Sequence, residues 1–106
     1  MNYMDRVERI KEMISQNPQD DFLQHALALE EIKLGHDNEA EILFRKILER
    51  SPAYTGSYYH LGKLLERNGR TTEAVVVYEK GMEQTKLKND QHAFSELRSA
   101  LDELIM

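Results

Sequence analysis

The chain has 106 residues, 19 acidic and 14 basic side chains, a formal net charge of -5 and no cysteine. That length suits one domain with a modest core, and the missing cysteines exclude disulfides and thiolate metal sites. The acidic balance argues against nucleic acid as a partner, because that binding draws on Lys and Arg neutralising phosphates.

The opening stretch, MNYMDRVERI, lacks the apolar core of a secretory leader, and no window approaches the roughly 18 apolar residues of a membrane span. A cytoplasmic protein with no membrane role is expected. Apolar residues recur at steps of three and four, and strict alternation is almost absent, so the elements are helices. The first spans 3–16 and stops short of Pro18. The second spans 21–34 and ends at Gly35, where a left-handed residue costs glycine nothing. The third, 37–50, starts with Asp37 or Asn38 as cap and stops before Pro52. The fourth, 55–68, ends at Gly69, and the fifth, 71–87, starts with Thr71 or Thr72 as cap. The fifth contains Val75-Val76-Val77, a run of poor helix formers, yet Ala74, Val77, Tyr78 and Gly81 mark a helical stripe, so packing is expected to override propensity. The sixth, 91–105, is capped by Asn89 or Asp90 and carries Phe94, Leu97, Leu101 and Leu104 on one face. Turns this short force neighbouring helices to run antiparallel.

One spacing recurs through these elements. Leu27 and Leu61, Ala28 and Gly62, Gly35 and Gly69, Ala40 and Ala74, Phe44 and Tyr78, and Pro18 and Pro52 are each 34 residues apart. Counting 34 back from Ala40, Phe44 and Ile47 gives Arg6, Ile10 and Met13, which makes the first helix the second half of a repeat. The sixth helix begins about two residues late for the strict period, with TKLKNDQ supplying the extra length. A helical hairpin of this size cannot bury its apolar face alone, whereas stacked copies bury a continuous core. The small residues Ala28, Gly62, Ala40 and Ala74 stand beside large ones, where a short side chain admits a neighbouring helix.

Chemistry-bearing constellations are sparse. The histidines His25, His36, His60 and His92 form no pair at a zinc-binding spacing, so no metal site is expected. The acids Glu30-Glu31 and Glu39/Glu41 read as solvated or helix-stabilising groups. GRTTEA lacks the lysine and spacing of a phosphate loop, and GSYYHLG is not a nucleophile elbow because it opens a helix after a helix. No catalytic residue and no cofactor are assigned, and the chain is not expected to be an enzyme. Among the tyrosines, Tyr58 and Tyr78 read as core, whereas Tyr59 sits about 100° further round its helix and cannot share that face.

With Tyr58, Leu61, Gly62, Gly69, Ala74 and Tyr78 in one copy and Leu27, Ala28, Gly35, Ala40, Phe44 and Pro52 in the other, the sequence resembles the tetratricopeptide repeat family. It departs from the pattern at Gln24 and Glu31, where aromatic residues belong, at Gly81 in place of an alanine, and at Lys86 in place of the closing proline. The resemblance implies an all-α fold, a right-handed α-solenoid of antiparallel helix hairpins. Residues 1–106 form a single domain on this reading, with a half repeat at 3–18, repeats at 21–54 and 55–88, and a capping helix at 91–105.

The resemblance further implies that the first helices of successive repeats line a concave groove receiving a peptide or helix of a partner protein. Projected onto this sequence, that face carries His25, Leu29, Ile32 and Lys33 from one helix and Tyr59, Lys63, Glu66 and Arg67 from the next. Tyr59 as an anchor with Lys63 or Arg67 as cations suggests an apolar and acidic segment. The chain is thus expected to be an interaction adaptor or scaffold. The alternative is an assembly protein that self-associates, as a homodimer, through uncovered helix faces at its ends, with Phe22, Leu29 and Ile32 contributing.

Overall fold

The computed structural model describes residues 3–106, and all its regular elements there are helices. They are α1 (Tyr3–Gln16), α2 (Asp21–Lys33), α3 (Asp37–Arg50), α4 (Gly56–Arg67), α5 (Thr71–Leu87) and α6 (Gln91–Ile105). The chain divides into two compact units, Met1–Ser51 and Pro52–Met106.

In the first unit α1 packs on α2 and α2 on α3. Ala28, Ala40, Phe44 and Ile47 are wholly buried there, and Val7, Ile10 and Leu27 form a cluster joined by Ile14, Ala26, Leu34 and Leu43. Of the α1 residues in register with Ala40, Phe44 and Ile47, one keeps their burial. Ile10 is buried, but Arg6 is exposed and Met13 is 46% exposed, whereas Val7 is 2% exposed. The buried stripe is Val7, Ile10 and Ile14, because α1 has α2 to pack against and Arg6 is drawn outward to Glu30, Nη1 to Oε1 3.3 Å. The ends of the α2–α3 hairpin are tied by Asp21, which accepts hydrogen bonds from Arg50 and from the Ser51 hydroxyl. Burial works against the Asp21 carboxylate, but those bonds and the Arg50 charge hold its pKa below the usual value.

In the second unit α4 packs on α5 and α6, and α5 on α6. Tyr58, Leu61, Leu64, Leu65, Ala74, Val77, Tyr78, Leu97, Ala100 and Leu101 form its buried set. The Val75–Val77 run lies inside α5 with Val77 buried and Val76 exposed, as its helical stripe requires.

The turns correct the expected caps. Gly35 and Gly69 take φ of +80° and +76°, and Asn89 takes φ of 59°. The next residue in each turn donates its N–H back across the helix end, His36 to Glu31 O (2.8 Å), Arg70 to Leu65 O (2.9 Å) and Asp90 to Thr85 O (2.9 Å). The same residue's carbonyl then accepts the first bond of the following helix, from Ala40, Ala74 and Phe94. One residue therefore closes one helix and opens the next, which places Asp37, Asn38, Thr71 and Thr72 inside the first turns and makes His36 and Arg70 the N-caps, without side-chain capping. Of the pair expected at α6, Asp90 is the cap, accepting from Ala93 N at 3.1 Å, and Asn89 is the left-handed residue.

Candidate functional site

The α4–α5 hairpin sets the position of every outward residue on α4. A β-carbon on Gly62 would lie within 2.7 Å of three atoms of the Tyr78 ring. On Gly81 it would lie 2.7 Å from Tyr58 Cβ and 2.8 Å from Leu97 Cδ1. Each helix thus offers a bare backbone to the other's tyrosine, and Gly81 admits α6 at the same point. The tyrosine hydroxyls both find acceptors: Tyr58 Oη donates to Pro52 O at 2.7 Å, and Tyr78 Oη donates to the Glu66 carboxylate. Burial, first, and then the bond to Glu66 and the charges of Glu66 and Glu103 push the Tyr78 hydroxyl far above its ordinary pKa. Tyr58 is raised as well, by burial and by Glu83.

With Tyr58 locked inward, Tyr59 turns toward α6. Tyr59 and Lys63, one turn apart on α4, face His92, Ser95, Glu96, Ser99, Ala100 and Glu103 of α6 across a cleft of about 310 Å³. Buried Ala100 forms part of the floor, and the other α6 residues make one exposed stripe at helical spacing. Lys63 Nζ lies 5.8 Å from the centre of the Tyr59 ring and 3.8 Å from Glu66 Oε2. His92 Nε2 stands 3.6 Å from Glu96 Oε1. Behind Tyr59, His60 meets its ring edge-on at 5.6 Å, and burial lowers the His60 pKa against the opposing pull of Glu96.

The sequence-derived residues separate by unit. On α4 the structure brings Tyr59 and Lys63 into the cleft and Glu66 beside Lys63, while Arg67 is exposed at the helix end. On α2, His25 packs edge-on against Phe44 with ring centres 5.6 Å apart, Leu29 and Ile32 are half-buried, and Lys33 is exposed with Nζ 3.4 Å from Glu30 Oε1. Glu31, standing where the family pattern has an aromatic, is 7% exposed and bonded to His36 Nδ1 at 3.0 Å.

Sequence reasoning missed the α6 side of the cleft. A strict period of 34 carries Tyr59 and Lys63 to Ala93 and Leu97, which are half-buried and buried. Adding the two-residue delay of α6 carries them to Ser95 and Ser99, and Arg67 to Glu103, all of them cleft residues. The same shift superimposes Tyr58, Leu61 and Leu65 on Phe94, Leu97 and Leu101. The signal lay in the length of TKLKNDQ. Among the described residues no group of His, Asp and Glu could hold a metal ion, and no helix is long and apolar enough to cross a membrane.

Two tetratricopeptide repeat family models match the chain, over residues 23–54 and 43–76. No curated protein matches it. Among solved structures, the tetratricopeptide repeat domain protein from Salinibacter ruber is 40% identical with a TM-score of 0.80, the match covering 83% of this chain and 89% of that one. A protein from Bordetella parapertussis is 26% identical with a TM-score of 0.80, covering 92% and 85%. The TPR2B domain of yeast Sti1, solved in a complex with pHsp70, is 18% identical with a TM-score of 0.88, covering 96% and 82%, a likeness of fold alone. The all-helical fold, the repeated hairpins and these matches agree: the chain belongs to the tetratricopeptide repeat family.

Proposed function

We propose that the protein is an interaction adaptor and that a segment of a partner protein docks in the cleft between α4 and α6. The observation that carries this reading is the cleft itself, where half-buried Tyr59 stands against an exposed polar stripe of α6. Tyrosine is enriched at binding hot spots, and Tyr59 is the aromatic anchor this surface offers. Sti1, a structural neighbour, was solved with a bound partner, which supports a protein as the ligand class. The stripe of His25, Leu29, Ile32 and Lys33 on α2 is proposed as a second contact patch. Glu66 has a supporting role, since its carboxylate holds Tyr78 and neighbours Lys63, and Arg67 extends the α4 surface.

Affinity capture from the native cell extract tests the reading by comparing wild type with Tyr59→Ala. Loss of the captured protein from the variant, with the helical spectrum unchanged, is expected. Retention of every partner contradicts it.

Self-association has its own observation: Phe22 on α2 is 69% exposed. Sedimentation equilibrium separates the two. The adaptor reading expects a monomer, whereas a dimer abolished by Phe22→Ser supports assembly through that face.

A further inference from the structure

Resting on the docking reading, we infer that the segment received by the α4–α6 cleft presents a basic side chain, lysine or arginine, to Glu103 and Glu96. Charge complementarity selects this occupant. Two carboxylates, Glu96 and Glu103, line the cleft, against one ammonium, Lys63. That ammonium is already engaged, 3.8 Å from Glu66 and over the Tyr59 ring. Glu96 meets two imidazoles, His92 at 3.6 Å and His60 through its charge, and Glu103 is exposed on the same stripe of α6. An acidic segment, which Tyr59, Lys63 and Arg67 alone suggested, would set like charge against Glu96 and Glu103, and such juxtaposition discriminates strongly against a partner.

The remaining surfaces fit the same ligand. Tyr59 offers a half-exposed ring against which the aliphatic stem of a lysine or arginine can pack. Ser95 and Ser99, one turn apart and both exposed, offer hydroxyls to the peptide groups of a segment lying along α6. A volume of about 310 Å³ is at the low end for ligand pockets, so it takes the side chains of a short segment.

The test is a titration of the isotope-labelled full chain, followed by amide chemical shifts, with three peptides of one frame, acetyl-GALXALG-amide, X being lysine, glutamate or glutamine. The lysine peptide is expected to move the amides of Tyr59, Ser95 and Ser99 and to bind about fivefold more tightly than the glutamine peptide. Its advantage should shrink with added salt and disappear in Glu96→Gln/Glu103→Gln, whose dispersed spectrum certifies the fold. If the glutamate peptide binds the same amides as well or better, the basic-partner inference falls and the docking reading stands. If none of the peptides moves those amides, both fall.

Discussion

The ring of Tyr78 occupies the space where a side chain on Gly62 would begin, with three ring atoms within 2.7 Å of an ideal β-carbon. The hairpin of α4 and α5 is closed by this contact and by its counterpart, Gly81 against Tyr58. Because the second of these also meets Leu97 of α6, the pair fixes how α6 lies beside α4 and therefore the width of the cleft.

Gly62→Ala should destabilise the protein by about 1–3 kcal/mol through overpacking, although alanine is the better helix former by about 1 kcal/mol. Gly69→Ala should cost about 1–2 kcal/mol for a different reason: nothing lies within 4 Å of its β-carbon, but φ is +76°. Urea midpoints check both. An unchanged or raised midpoint for Gly62→Ala would contradict the Tyr78 contact.

How far the sequence reached follows from these glycines. The 34-residue spacing of Leu27 and Leu61, Gly35 and Gly69, Phe44 and Tyr78 was readable because each pair meets the same backbone or packing demand. The first repeat looked poor for a physical reason that only facing positions reveal. Gln24 and Ile47 stand at the register positions of Tyr58 and Gly81, so the second repeat pairs a large residue on its first helix with a glycine, and the first repeat shifts the apolar bulk to its second helix. The caps at Asp37, Asn38, Thr71 and Thr72 were misplaced because side-chain preference says nothing of a turn in which one backbone residue serves both helices. The cleft was half legible: Tyr59 and Lys63 followed from the family pattern, but Ser95, Ser99 and Glu103 needed the two-residue delay to be carried through.

Tyr78→Phe removes a donor to the Glu66 carboxylate and should cost about 1.5 kcal/mol, at the low end for a bond to a charged group because Glu66 remains partly hydrated. Thermal or urea unfolding measures it. The same change in a Glu66→Gln background should cost less, and equal costs in both backgrounds would deny the bond.

Alkaline pH should destabilise the fold. The hydroxyls of Tyr58 and Tyr78 are both raised, chiefly by burial, so above pH about 10 the unfolded chain releases protons that the folded chain retains. Stability contributed by those protons is complete below pH about 10 and declines as pH rises, with a limiting slope of about 1.4 kcal/mol per unit while folded Tyr78 keeps its proton. Urea midpoints at pH 8 and pH 11 should differ less in Tyr78→Phe than in wild type. An identical difference would contradict the assignment.

Asp21→Asn should loosen the α2–α3 hairpin by about 1 kcal/mol, since the carboxylate joins Arg50 and Ser51 at the far end of that pair. The folded carboxyl titrates below the unfolded one, so wild type should lose this increment as pH falls through the folded value, and the variant should not. Denaturation series at pH 7 and pH 3 report the difference.

The central claim is that the cleft between α4 and α6 is where a partner sits. Site-specific photo-crosslinking in the native cells tests it most directly, with a benzophenone amino acid placed at Ser99 in the cleft and, as a control, at exposed Glu79 on α5. A light-dependent adduct to another protein at position 99, reduced by Tyr59→Ala and missing at position 79, is the predicted result. Adducts at position 79 with none at 99 would contradict it.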